Sequence, residues 1–190
     1  MTAYNLSGGF ASPSIQSASA FRAIMSAMSQ PGMIVEVEGL SPPAPLPPAA
    51  AAVCLTLCDH DTTLALSDEY NTEEIRQWLL FHTGVRFADE SQADFVVCDE
   101  LSLKPLETYK QGTDEYPDRS ALIIISKSEL HNKTGCALSG PGIENSRILS
   151  VSDPTPYRSG LKMFPLGLDF ILTSGRNLAC IPRTTAMEVR

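Results

Sequence analysis

Leu138–Ile143 reads L-S-G-P-G-I, Phe164–Thr173 reads F-P-L-G-L-D-F-I-L-T, and Ile181–Val189 reads I-P-R-T-T-A-M-E-V. These apolar runs follow one another with little slack, and the rest of the chain is organised around them. Leu168–Thr173 alternates as a strand does, with Leu168, Phe170 and Leu172 on one face and Asp169, Ile171 and Thr173 on the other. Ser174–Asn177 is a turn and Leu178–Ile181 a second apolar run, so the pattern is a β-hairpin. Pro165 and Pro182 cannot donate to a ladder and belong where strands begin or end. Gly140-Pro141-Gly142 suits a type II turn, with Pro141 presetting φ and Gly142 free to take a positive one. The outcome is a sheet end framed by tight turns, with Ser139, Arg183, Thr184 and Thr185 near strand ends.

Working outward, the polar, Ser-rich residues 1–16 read as an extended arm. Ser19 caps a helix over Ala20–Met28 whose stripe is Phe21, Ile24, Met25 and Met28. Pro31-Gly32 stops it, Met33–Val37 alternates as a strand, and five prolines stiffen the surface connection Ser41–Pro48. Pro48 opens an alanine-rich helix through Cys58. Asp59-His60-Asp61 turns into a strand over Thr62–Leu66. Asn71 and Glu74 form a capping box for a helix over Thr72–Phe81, which ends at His82-Thr83-Gly84.

Farther along, Ala93–Cys98 is a strand, Leu101–Lys110 a short helix closed by Gly112, and residues 113–119 a charged loop. Ala121–Ser126 is a central strand, because Leu122–Ile125 is apolar on both faces. Gly135–Ser139 and Arg147–Val151 are further strands, and Tyr157–Lys162 a short helix. Helices interleaved with strands predict an α/β fold of three layers. A mixed β-sheet is flanked by helices on both sides, in one domain over residues 1–190.

Composition narrows the function. The chain has 22 Asp and Glu against 14 Lys and Arg, a net charge of −8, which argues against a nucleic-acid or anionic-membrane surface. No run of 18 apolar residues and no basic-then-apolar N-terminus is present, so neither a membrane span nor a signal peptide is expected. Five cysteines without a C-x-x-C read as buried thiols in a reducing cytoplasm.

Each candidate for chemistry has a plainer alternative. Asp59-His60-Asp61 offers two carboxylates and an imidazole to a metal, yet Asp also serves turns for local hydrogen-bonding reasons. His82 at a helix C-terminus is a cap or a base, and with Thr83 and Gly84 it could line a cleft. The Gly140–Gly142 bend presents amides to an anion but lacks the lysine and spacing of a P-loop. Arg183-Thr184-Thr185 offers a guanidinium fork and two hydroxyls, a phosphate clamp or equally a sheet-end salt bridge. Arg22 is a helix-surface residue or a cleft cation. One cleft formed by Arg22, Asp59, His82, Thr83, Ser139, Gly140, Gly142, Arg183, Thr184 and Thr185, binding a small anion or completing a site, is the expectation drawn from them. No G-x-S-x-G or H-E-x-x-H element is present, so no catalytic residue is assigned.

Seven motifs in order carry a resemblance: F-R-A-I-M-S-A-M-S-Q-P-G (21–32), L-T-L-C-D-H-D-T (55–62), F-H-T-G (81–84), A-D-F-V-V (93–97) and the three closing runs. Together they resemble the H subunit of the bacterial carbon–phosphorus lyase system, over nearly the whole chain from Phe10 to Val189. The pattern departs between Val151 and Phe164, where two prolines stand in place of a longer helix. The resemblance implies a fold related to pyridoxal-phosphate-dependent transferases without the cofactor. Consistent with that, the five lysines lie in polar or edge contexts. It further implies an accessory, non-catalytic subunit that associates with the G, I and J subunits. That complex makes α-D-ribose 1-phosphonate 5-triphosphate from ATP and phosphonate. It implies a homodimer when the chain is isolated. The rival classes are an autonomous enzyme, either a cryptic pyridoxal-phosphate protein or a metal hydrolase using Asp59, Asp61 and His82, and a pure assembly module.

Overall fold

The structure, a computed structural model, describes residues 4–157 and 164–189. Among the described residues the α-helices are α1 (Pro13–Ser29), α2 (Pro48–Leu57) and α3 (Glu73–Thr83). The early strands are β1 (Val35–Glu36), β2 (Thr63–Leu66), β3 (Arg86–Phe87), β4 (Phe95–Asp99) and β5 (Leu122–Ser126). The later ones are β6 (Cys136–Ser139), β7 (Arg147–Leu149), β8 (Asp169–Ser174), β9 (Asn177–Ile181) and β10 (Ala186–Val189).

A seven-stranded mixed sheet runs β1-β9-β8-β5-β4-β2-β3, and a three-stranded antiparallel sheet runs β10-β6-β7. Within the large sheet β3, β2, β4, β5 and β8 are parallel, while β9 and β1 close it by antiparallel pairing. β5 lies at its centre, as the two-sided apolar run predicted. Its Ile123 and Ile125 face one core cluster and Ile124 the other, each fully buried. The β8–β9 hairpin also forms as expected, with Ser174 opposite Asn177 at its turn.

The closing stretch differs from the expectation in one respect: it is shared between two sheets. Leu138 pairs with Met187 and Ser139 with Ala186 in the small sheet, whereas Asp169–Ser174 belongs to the large one. Pro182 has no N–H to extend β9, and a turn closed by Thr185 N–H to Pro182 O at 2.9 Å carries the chain away. The small sheet then covers one face of the large one through Leu138, Leu149 and Met187. Among the described residues the α-helices join the opposite core cluster, through Ile24, Ala49–Cys54, Ile75 and Trp78. Among the described residues the mixed sheet thus has the three α-helices on one face and, on the other, the small sheet with the 3₁₀ turns that carry Leu106 and Tyr157, where helices on both sides were expected.

Other boundaries moved for local reasons. α1 starts at Pro13 rather than after Ser19, because proline costs nothing where the first-turn amides have no partner anyway, so the arm ends at Ser12. Its buried face is Ala20, Ile24 and Ala27, while Phe21 and Met25 stay about half exposed. Small alanines let α1 lie close on the alanines of α2, and that contact sets its rotation. Thr72, not Asn71, caps α3 by accepting from Ile75 N at 3.3 Å, and Gly84 ends it with φ 71°. The predicted helix over Leu101–Lys110 is reduced to a 3₁₀ turn at Leu106–Thr108. Pro105 disfavours helix at Lys104, and the Asp99 carboxylate captures the Leu101 and Ser102 amides. Beyond Tyr157 the helix expected over Tyr157–Lys162 falls outside the described residues. All five cysteines are buried. Among the described residues no helix is long and apolar enough to cross a membrane.

Candidate functional site

The residues expected to share one cleft are distributed over separate places. Arg183 sits at the amino end of β8 with its side chain only 14% exposed. Its Nε donates to the Asp169 carboxylate at 3.2 Å, and its Nη2 to Asp169 Oδ2 at 2.6 Å and Ser120 Oγ at 2.5 Å. Its Nη1 donates to Pro117 O at 2.9 Å and Pro165 O at 3.1 Å. All five guanidinium hydrogens are therefore spent within the chain, and no fork is left for a phosphate. The salt-bridge alternative is the one the geometry supports. Thr185 beside it is buried, with a hydroxyl that has no partner among the described residues.

The Gly140–Gly142 bend forms the expected turn: Ile143 N donates to Gly140 O at 3.1 Å, and Gly142 has φ 81°. It packs on the protein, however. A Cβ on Gly142 would lie 2.0 Å from Ser29 O, and one on Gly140 would lie 2.9 Å from Thr184 O. The bend thus joins Ser139, Thr184 and Thr185 to the end of α1, and its close approaches are already filled by backbone.

His82 is occupied as well. Its Nε2 donates to Leu6 O at 2.9 Å, its ring lies tilted against Trp78 with centroids 4.6 Å apart, and Trp78 Nε1 donates to Ser7 O at 2.7 Å. The segment preceding α1 is strapped over α3 by these bonds, so His82 holds backbone rather than a substrate. Thr83 Oγ1 donates to Leu79 O at 2.7 Å and caps the helix end. Asp59, His60 and Asp61 are exposed, with ligating atoms within 4.8 Å of one another, but His82 is not among them. Asp59 Oδ1 accepts from the Asp61 and Thr62 amides at 3.0 and 3.1 Å, which is the turn chemistry expected of it. Arg22 is exposed on α1.

What the sequence reading missed lies at the carboxyl ends of the parallel strands. Connections leave β2 toward β3 and β4 toward β5, in opposite directions across the sheet, and that divergence opens a crevice. A depression of about 500 Å³ there is lined by Glu69, Asp99, Glu100, Leu101, Ser126 and Lys127, among others. A second of about 220 Å³ adjoins it through Glu100, Lys127 and Ser128 and reaches Glu129 and His131. Between the two stands an ion pair: Lys127 Nζ donates to Glu100 Oε1, which also accepts from Tyr157 OH at 3.3 Å. The Lys127 side chain is only 6% exposed, against the polar or edge setting expected of every lysine. Burial, and then the Glu100 charge, push the Tyr157 phenol well above its ordinary range, so it stays a donor.

Asp99 is scaffolding. Burial works against its charge, but the Ser102 hydroxyl and the Ser102 and Leu101 amides hold its carboxyl below the usual carboxylate value. Those bonds, at 2.6 to 2.9 Å, fix the loop that projects Leu101. In the sequence the clue is I-I-I-S-K and V-V-C-D-E, two buried strands each ending directly in charge.

Comparison with known proteins identifies the lineage. Residues 8–188 match the family model described as "Bacterial phosphonate metabolism protein (PhnH)". This chain belongs to the PhnH family. It is 34% identical over 190 residues to the "Alpha-D-ribose 1-methylphosphonate 5-triphosphate synthase subunit PhnH" of Rhizobium meliloti (strain 1021), covering 96% of this chain and 95% of the relative. It is 32% identical over 181 residues to the "Putative C-P lyase subunit protein HtxG" of Stutzerimonas stutzeri, covering 90% of this chain and 85% of that protein. The resemblance drawn from the seven motifs is thereby borne out, since the PhnH match spans them all up to Glu188.

Proposed function

We propose that this PhnH-family chain is an accessory subunit of a carbon–phosphorus lyase core complex in organophosphonate catabolism. In that role it supports formation of α-D-ribose 1-phosphonate 5-triphosphate from ATP and phosphonate beside the G, I and J subunits. The observation that carries this is the end-to-end match to a relative named as a subunit, covering 96% of this chain and 95% of that one. The distribution of cations supports it. ATP and phosphonate are anions, and a site for them needs converging positive groups. Here Arg183 is spent, Lys127 is paired and Arg22 stands apart, in a chain of net charge −8. Partners then supply the substrate site. The proposal includes one domain over the chain, a homodimer in isolation, a cytoplasmic setting, and a fold related to pyridoxal-phosphate-dependent transferases without the cofactor.

The test is affinity purification of tagged chain from phosphate-starved cells carrying the neighbouring genes. Stoichiometric recovery of the G, I and J subunits is the expected outcome. Recovery of the chain alone, as monomer or homodimer, would overturn the subunit role.

A further inference from the structure

We infer that the cleft at the carboxyl ends of β4 and β5 docks an arginine- or lysine-bearing segment of a partner protein, with Leu101 as the apolar anchor. This rests on the subunit role above and assigns it a surface. Leu101 is 99% exposed, an unusual setting for a leucine held in a fixed loop. Its amide donates to Asp99 Oδ1 at 2.7 Å, so the exposure is built in rather than a result of slack. It stands on the lining of the larger depression.

Among the described residues the charges around it are mostly negative. Glu69, Glu100 and Glu129 line the two lobes, and against them stand Lys127, already donating to Glu100, and His131, 3.4 Å from Glu129. The Glu69 carboxylate is exposed and has no hydrogen-bond or ion-pair partner among the described residues. An anion would be repelled from such a surface. A shared divalent ion does not fit either. Among the described residues only Asp59, His60 and Asp61 bring three ligating groups within 4.8 Å, so the cleft carboxylates do not converge. Spread carboxylates flanking an exposed leucine match a segment that brings cations on both sides of an apolar slot. A second copy of this chain is a poor occupant, since it brings 22 acidic groups and only 14 cations.

The experiment is co-expression of the full chain with the G, I and J subunits, with assembly measured by native mass spectrometry and by titration at low and high salt. Leu101→Asp, and Glu69→Lys combined with Glu129→Lys, should each weaken assembly at least tenfold. The charge-reversed pair should also lose most of the salt dependence seen in the wild type. The control is Asp114→Lys with Glu115→Lys, on an exposed loop elsewhere, and should assemble normally. Wild-type assembly by both cleft variants overturns this inference and leaves the subunit role standing. A wild-type chain that does not assemble at all overturns the subunit role and this inference with it. Circular dichroism of each purified variant separates lost docking from lost folding.

Discussion

The two ends of the parallel strands are finished in opposite ways. At the amino end the central charges are paired within the chain: Arg183 is enclosed with Asp169, Ser120 and two carbonyls, and Lys110 pairs with Asp94, which also takes the Thr63 hydroxyl and amide, while Asp61 and Arg86 at the sheet edge stay exposed. At the carboxyl end Lys127 has one partner, Glu100 is 41% exposed, and Leu101 stands clear of the surface. Both ends use the same residue types, so composition does not distinguish them. The difference is whether the polar groups are satisfied within the chain, and unsatisfied groups beside a cavity are what remain for other molecules.

The largest effect should come from removing the amino-end cation. Arg183→Ala strips five donated bonds and leaves Asp169 largely enclosed without its partner, at a cost of about 3 kcal/mol in urea unfolding. Lys127→Met should cost about 1 kcal/mol, since the abandoned Glu100 carboxylate can turn to water. Equal losses would break the comparison. An Arg183→Ala chain that keeps wild-type stability would revive the phosphate-clamp alternative.

A smaller effect is expected from acid. Asp94 and Asp99 both have carboxyls held below their ordinary value of 3.8. For Asp94, burial opposes the charge while Lys110 and Thr63 favour it; for Asp99, burial again opposes it and the Ser102 and Leu101 donors prevail. A lowered folded value means the stabilisation is complete above 3.8 and is lost as pH falls through the folded values. Unfolding free energy should therefore drop steeply below that pH, and Asp94→Asn with Asp99→Asn should flatten the drop while lowering the plateau. An unchanged acid limb in the double variant would mean other carboxylates control it.

How much of this was legible in the sequence depends on the range over which each determinant acts. β5 and the β8–β9 hairpin were readable because alternation and two-sided apolarity are local. So was the Gly140–Gly142 turn, since Pro141 and Gly142 carry their own dihedral preferences. The second sheet was not, because the pairing of Leu138 with Met187 is between residues far apart in the chain. The candidate site fared worse for a related reason. Arg183 next to two threonines has the composition of a clamp, but whether its fork is free depends on Pro117, Ser120, Pro165 and Asp169, which only the fold brings together. Lys127 was passed over because a lysine after a strand usually reaches solvent, and here Glu100 and Tyr157, from two other segments, retain it.

The strap over α3 gives an intermediate case. His82→Ala removes one bond to Leu6 O and the tilted ring contact with Trp78, worth about 1 kcal/mol in unfolding. Protease cleavage within residues 4–12 should accelerate more than that loss alone explains, because the strap can then open without global unfolding. If cleavage does not change, the Trp78 bond to Ser7 O suffices to hold the segment.

The smallest effects are the most discriminating for the open end. Leu101→Asp and Glu69→Lys change groups that touch little of their own chain, so each should leave the unfolding free energy within about 0.5 kcal/mol of wild type. Leu101→Asp should raise solubility if anything, by removing an exposed apolar side chain. A residue that contributes nothing to its own fold yet weakens assembly when changed acts on a partner. A Leu101→Asp chain destabilised by several kcal/mol would instead place Leu101 in intramolecular packing, and the contrast between the closed and open ends of the sheet would not hold.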